Sequence, residues 1–310
     1  MPKTRIGLAL GSGAARGWAH LGVLRALSER GIAPDVVCAT SIGALAGGFY
    51  LSGLLDALES WARNLTKLGM IRYLNLRLAK NGLIAGDRLF AEMEQQLGDT
   101  AIEDLSVPFV SVATDLATGR EVWLSDGRLV NAIRASFSLP AFFSPTKIDG
   151  RWLIDGALVN PVPVSVCRAF GAQVVIAVNL NANDLVPKAV SLEGIVNAPG
   201  LDPSAIWNGT GSSAAASGIG DRTLTSGRGK DEGPTLFGVV ASTLNIVQNR
   251  ITRSRLAAEP PEINIVPRVG HVGLLDFHRA DELIEAGRIA VSQAEALLDD
   301  LTHLAGAAAS

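Results

Sequence analysis

The chain predicts an α/β fold, a central and mostly parallel sheet covered by helices on both faces in a three-layer α/β/α arrangement. Two observations predict it. Short apolar runs of strand length alternate with helical patterns through residues 5–180, as they do where parallel strands are joined by helical crossovers. Two of the strand-to-helix junctions, residues 11–17 and 39–43, are built from small residues, and sites on such sheets lie at the carboxyl ends of the strands.

The strands expected are 5–10, 35–39, 108–114, 120–125, 151–154 and 173–180. A helix follows the first glycine-rich turn, its apolar stripe running through Leu21, Leu24 and Leu27 to Gly31. Asp149-Gly150 reads as the turn of a hairpin joining 146–148 to 151–153. Residues 197–234, which contain Asn208-Gly209-Thr210-Gly211 and Ser226-Gly227-Arg228-Gly229, have linker composition. Beyond them, 236–257 and 280–301 read as amphipathic helices with a candidate strand at 262–266. The organisation expected is an α/β domain at 1–196, a flexible loop at 197–234 and a C-terminal helical segment at 235–310 packing on the same domain.

Composition narrows the function classes. A chain of 310 residues that is 48% hydrophobic can bury a substantial core. Its net charge of −3 offers no general attraction to nucleic acid or to anionic lipid. Cys38 and Cys167 lie in apolar runs without metal-ligand spacing and read as reduced core residues; no metal or cofactor is expected. The first apolar run stops at Gly11, too short for a signal sequence or a spanning helix, so the expected location is the cytoplasm.

Ser41 lies between the apolar run Val36-Val37-Cys38-Ala39 and the small-residue run Ile42-Gly43-Ala44-Leu45-Ala46-Gly47-Gly48. A strand, a one-residue turn and a helix is how a serine nucleophile is mounted, with small residues two positions either side because the turn is sharp. Those positions are Ala39 and Gly43, so A-T-S-I-G stands in place of G-x-S-x-G. A serine capping a helix after a strand is also ordinary punctuation. Upstream, Gly11-Ser12-Gly13-Ala14-Ala15-Arg16-Gly17 follows a strand and opens a helix, where exposed backbone N–H groups favour an anion. The loop lacks the Lys-Ser/Thr of a Walker motif and spaces its glycines unlike the dinucleotide fingerprint. An oxyanion hole around Gly13 is the leading reading, with a phosphate or nucleotide site as the rival. For the base, His271 or His278 would complete a serine triad in chain order. Asp155, ending the run Trp152-Leu153-Ile154 before Gly156-Ala157, would act directly. A turn aspartate explains Asp155 equally well.

Taken together, residues 11–17, Ala39-Thr40-Ser41-Ile42-Gly43 and Asp155-Gly156-Ala157 resemble the three blocks of the patatin-like phospholipases. Arg134-Ala135-Ser136, residues 138–145, Asn160-Pro161-Val162-Pro163 and Val174-Val175-Ile176-Ala177-Val178 agree with it. The match is nearest to the small bacterial RssA-type branch related to neuropathy target esterase. It covers residues 5–180, and 275–279 more loosely. The resemblance implies that Ser41 is the nucleophile and Asp155 its base, a dyad without histidine. It implies an oxyanion hole from the amides of Gly11, Ser12, Gly13 and Ala14, with Arg16 and Gly17 supporting the loop. It also implies a reaction: hydrolysis of a phospholipid, lysophospholipid or other fatty acyl ester through an acyl-enzyme. Ala39 departs from the family glycine, which keeps a catalytically weak or inactive regulatory protein on the same fold as an alternative.

A lipid substrate implies peripheral contact with the inner membrane surface. Residues 65–80 interleave leucines with Lys67, Arg72, Arg77 and Lys80, a pattern that suits either an interfacial lid or a surface helix. Leu139-Pro140-Ala141-Phe142-Phe143 reads as the acyl mouth or as a core-filling loop. The oligomeric state is left open.

Overall fold

The computed structural model describes residues 4–66, 77–79, 82–84, 87–182 and 236–307. The first part of the chain forms β1 (Ile6–Leu10), a 3-10 turn (Ala14–Trp18), α1 (Ala19–Glu29), β2 (Val36–Thr40), α2 (Ile42–Leu51) and α3 (Leu55–Arg63). The short antiparallel pair β3 (Arg77–Ala79) and β4 (Gly82–Ile84) precedes α4 (Asp87–Leu97). Next come β5 (Phe109–Asp115), β6 (Glu121–Leu124), α5 (Leu129–Ser136), β7 (Thr146–Ile148), β8 (Arg151–Asp155), α6 (Val164–Ala169) and β9 (Val174–Val178). The C-terminal residues form α7 (Leu236–Ala258), β10 (Ile263–Ile265), α8 (Ala280–Gln293) and α9 (Glu295–Ala307).

β1, β2 and β5 are buried along their whole length. Such strands need apolar residues on both faces, which is why they read as unbroken runs. Alternate side chains enter separate cores. Leu8, Leu10, Val37 and Ala39 face the larger one with α1, α2, α5 and α8. Ala9, Val36, Cys38 and Val110 face the smaller one with Val164, Val166 and Cys167 of α6. These are the three predicted layers, and both cysteines are buried as expected.

The eight-stranded sheet runs β10-β9-β1-β2-β5-β8-β7, with β6 also on β5. β10, β9, β1, β2 and β5 are mutually parallel, whereas β6, β7 and β8 pair antiparallel. The register around β5 positions the site. β2 pairs with Phe109–Val112, β6 with Ser111–Thr114 and β8 with Ala113–Asp115. A strand has two edges, and β6 overlaps both others, so β2 and β8 share the opposite edge end to end. β2 runs with β5 and β8 against it, so their carboxyl ends meet head-on, Thr40 opposite Val112 and Asp155 opposite Ala113.

The C-terminal residues are built into this domain. β10 supplies the sheet's edge strand beside β9. α8 lies against α1 at backbone contact: a Cβ on Gly22 would fall 1.9 Å from the Ile284 carbonyl, and one on Gly287 would fall 2.0 Å from that of Ala19. The hairpin turn falls at Asp149-Gly150 as predicted, both residues at positive φ. Of the segment read as an interfacial lid or a surface helix, residues 67–76 and 80 lie outside the described residues, and 77–79 form a strand rather than a helix. The linker at 197–234 lies outside them too. Leu139, Phe142 and Phe143 are buried, with Phe143 packed on Phe137 and Phe90, so this loop fills the core. Among the described residues no helix is long and apolar enough to cross a membrane.

Candidate active site

Ser41 joins β2 to α2 with φ 58° and ψ −124°. A non-glycine residue in that region stores about 1–3 kcal/mol and persists only where its surroundings fix it. Three features fix it here. Its N–H donates to Ser136 Oγ at 2.7 Å. Its carbonyl accepts from Ala44 and Leu45 in the first turn of α2. The backbone behind it closes onto Gly43, where a Cβ would stand 2.3 Å from the Leu10 carbonyl oxygen. The crowding that demands glycine therefore falls after the serine. Ala39 sits in the core with its methyl buried, and the elbow keeps its shape.

Asp155 reaches Ser41 from the head-on strand. Ser41 Oγ donates to Asp155 Oδ2 at 2.6 Å, and Asp155 Oδ1 accepts from the Ala157 N–H at 2.8 Å. The Asp155 backbone is fixed at both ends, its N–H on Ser138 O and its carbonyl accepting from Thr114 Oγ1. Gly156 passes so close to β5 that a Cβ would lie 2.1 Å from Val112 O. Burial pushes the Asp155 carboxyl up to about 7, against the opposing pull of the hydrogen bonds from Ser41 and Ala157. A carboxylate with a proton affinity near neutrality, bonded to a serine hydroxyl, has the properties of a general base. Among the described residues no histidine hydrogen-bonds Ser41 or Asp155; His271 pairs with Glu282 at the surface, so the Ser-Asp-His alternative is not assembled.

The glycine-rich loop is partly committed. The Gly11 N–H donates to Val178 O and the Ser12 N–H to Pro161 O. These two amides, expected in the oxyanion hole, are thus spent within the fold. Among the described residues the N–H groups of Gly13 and Ala14 have no protein acceptor. Ala14 carries a positive φ of 49° without being glycine. Two free amides match one oxyanion better than a pyrophosphate, which counts against the nucleotide reading. Arg16 is buried and donates through Nε to Val272 O, while the Ala15 N–H reaches Leu274 O and Trp18 Nε1 reaches Phe277 O. Residues 272–277 thereby hold the loop from the far end of the chain. Gly17 lies beneath Ile42, whose side-chain carbon would stand 2.0 Å from an added Cβ.

Sequence reasoning gave no role to Ser136 or His20. Ser136 Oγ accepts from Ser41 and donates to Val112 O at 2.5 Å, so one hydroxyl links the elbow to β5. His20 is fully buried and donates from Nε2 to Gly11 O at 2.7 Å; burial lowers its pKa to about 4 and keeps it neutral. A serine ending a helix and a histidine inside one carry no local signal of such work. Replacing Ser136 with alanine is expected to destabilise the protein by about 1–3 kcal/mol by stranding the Ser41 N–H. Urea unfolding of the variant tests this.

Against this geometry stand the comparisons with known proteins. The profile of the family described as patatin-like phospholipase matches residues 8–168. An NTE family protein of Mycobacterium tuberculosis, described as uncharacterized, is 34% identical over 329 residues, spanning 94% of this chain and 91% of its own length. Patatin-like phospholipase domain-containing protein 7 of Rattus norvegicus is 34% identical over 186 residues, which is 58% of this chain and 14% of that protein. A patatin-like phospholipase domain-containing protein of Caenorhabditis elegans is 38% identical over 57% of this chain and 14% of its own. Among solved structures, VipD from Legionella pneumophila aligns over 83% of this chain and 67% of that one with a TM-score of 0.39 and 13% identity.

Proposed function

Since the chain belongs to the patatin-like phospholipase family, we propose that it is a serine acyl-ester hydrolase acting on phospholipid, lysophospholipid or a related fatty acyl ester, with Ser41 and Asp155 as its catalytic dyad. The observation that carries this reading is the buried hydrogen bond from Ser41 Oγ to Asp155 Oδ2 at 2.6 Å. In the proposed reaction Asp155 takes the hydroxyl proton as Ser41 Oγ attacks the acyl carbonyl carbon. The carbonyl oxygen becomes an oxyanion facing the Gly13 and Ala14 N–H groups at the start of the 3-10 turn. As the tetrahedral intermediate collapses, the ester C–O bond breaks, and Asp155 returns its proton to the departing alcohol or lysolipid. Water then attacks the acyl-Ser41 ester, giving its proton to Asp155; collapse releases the fatty acid and restores the serine hydroxyl.

One to two turns along α2 from Ser41, a cavity of about 310 Å³ has apolar walls from Leu45, Phe49, Leu58, Trp61, Leu89 and Met93 and a polar side from Glu92, Gln95 and Gln96. Its apolar walls suit an acyl chain. We place the reaction in the cytoplasm, at the inner membrane surface where such esters reside.

A fluorophosphonate probe tests the reading without knowledge of the true substrate. The expected result is a single adduct mapped to Ser41, absent from Ser41→Ala and sharply reduced in Asp155→Asn. A folded wild-type protein that takes up no probe, with lipid vesicles present or absent, would overturn it in favour of the non-catalytic regulator.

A further inference from the structure

The inner face of α7 is mixed: Ala241 is buried, and Leu244 and Leu256 pack on the two cores. A surface helix ordinarily turns its apolar stripe inward and its polar residues to water. On this one, Gln248 and Thr252 are buried, and Asn245 and Asn249 are half-buried beside them. Val239, Ile246 and Val247 face solvent at 44%, 61% and 40% exposure. The inner row reaches the glycine-rich loop through Asn181. Asn181 Nδ2 stands 3.4 Å from Thr252 Oγ1 on one side and 3.4 Å from Ser12 Oγ of the glycine-rich loop on the other. The outer row continues into Arg250 and Arg253, both exposed. In 23 residues α7 has no acidic side chain and three arginines, Arg250, Arg253 and Arg255, on a chain whose net charge is −3. Arg255 is paired with Glu121.

An exposed row of branched aliphatic residues followed by unopposed arginines, on a helix that borders the catalytic loop, has a natural partner. Apolar side chains of such a helix sink to the boundary between headgroups and acyl chains, and the arginines are drawn to anionic lipid. We infer that the outer face of α7 docks the protein on an anionic bilayer surface, with Val239, Ile246 and Val247 inserted and Arg250 and Arg253 at the headgroups. This deepens the proposed function and rests on it only for the identity of the substrate.

The test is co-sedimentation of the full chain with phosphatidylcholine vesicles, with and without phosphatidylglycerol, alongside hydrolysis of a soluble short-chain ester. Wild type is expected to partition onto the anionic vesicles and to leave them as salt is raised. Ile246→Glu should weaken partitioning about tenfold or more. Arg250→Gln with Arg253→Gln should weaken it about 30-fold and abolish the preference for anionic lipid. All these residues are exposed, so soluble-ester turnover should stay at the wild-type level. Three outcomes overturn the inference: wild type that does not bind, variants that bind like wild type, or a dimer in sedimentation velocity that Ile246→Glu splits, which would make a second copy the occupant. Vesicle binding without any ester hydrolysis would leave the docking face standing and remove the hydrolase reading instead.

Discussion

Replacing Asp155 with asparagine is expected to lower kcat/KM by about 10²–10⁴-fold while the fold survives. The carboxylate has two accepting oxygens in use, Oδ2 on the Ser41 hydroxyl and Oδ1 on the Ala157 N–H. An amide has one. If its oxygen faces Ser41, the hydroxyl keeps its hydrogen bond but has nowhere to send the proton, and the NH2 group opposes the Ala157 N–H. If the amide turns over, Ser41 Oγ meets a donor. Neither orientation supplies a base. In the proposed mechanism the pair acts as a unit, and the Ser41→Ala, Asp155→Asn double variant should then be no slower than the worse single one.

The same substitution identifies the base through pH. Asp155 must be ionised to take a proton, and its carboxyl titrates at about 7. Wild-type kcat/KM should therefore fall about tenfold per unit as pH drops below that value, and the residual activity of Asp155→Asn should lack this limb. His20, the buried histidine nearest the loop, titrates at about 4 and cannot produce it. An acidic limb that persists unchanged in Asp155→Asn would assign the base elsewhere.

What could be read from the sequence was what local rules control. The elbow at Ser41 was legible because strand, sharp turn and helix are consecutive, with Gly43 two residues after the serine, although the contact that requires this glycine is to the Leu10 carbonyl at the end of β1. Asp155 was not legible in the same way. Its neighbourhood fits a turn as well as a base, and only the family resemblance chose between them. The physical reason lies in β5, where β2 and β8 share one edge end to end and bring together residues 114 apart in sequence. The oxyanion loop shows the complementary error. Its composition announces free amides, yet the acceptors that occupy Gly11 and Ser12 belong to Val178 and Pro161, far along the chain. α7 was read correctly as a helix, but the direction of its apolar face depends on what it packs against. There its polar row meets Asn181 beside the loop, a contact no periodicity contains.

The pH dependence of stability is expected to run against that of activity. Ordinary aspartate titrates at 3.8, and burial raises Asp155 to about 7 in the folded protein. Between those values the native state holds a proton that the unfolded chain has lost. Stability must therefore fall as pH rises through this window, by about 1.4 kcal/mol per unit and about 4 kcal/mol in all as an order of magnitude, then level off above it. Asp155→Asn has no such proton to lose. Compared by urea unfolding at about pH 4 and about pH 8, the variant should gain roughly 2–4 kcal/mol on wild type between the two conditions. A difference that does not change with pH would mean that the buried carboxyl is not the strained group. The sign matters for the mechanism. In the proposed mechanism the working form carries an ionised carboxylate that the fold would hold more comfortably protonated, and only that form can accept the serine proton. Stability is given up at the residue where proton affinity is needed, as in other sites that trade one for the other.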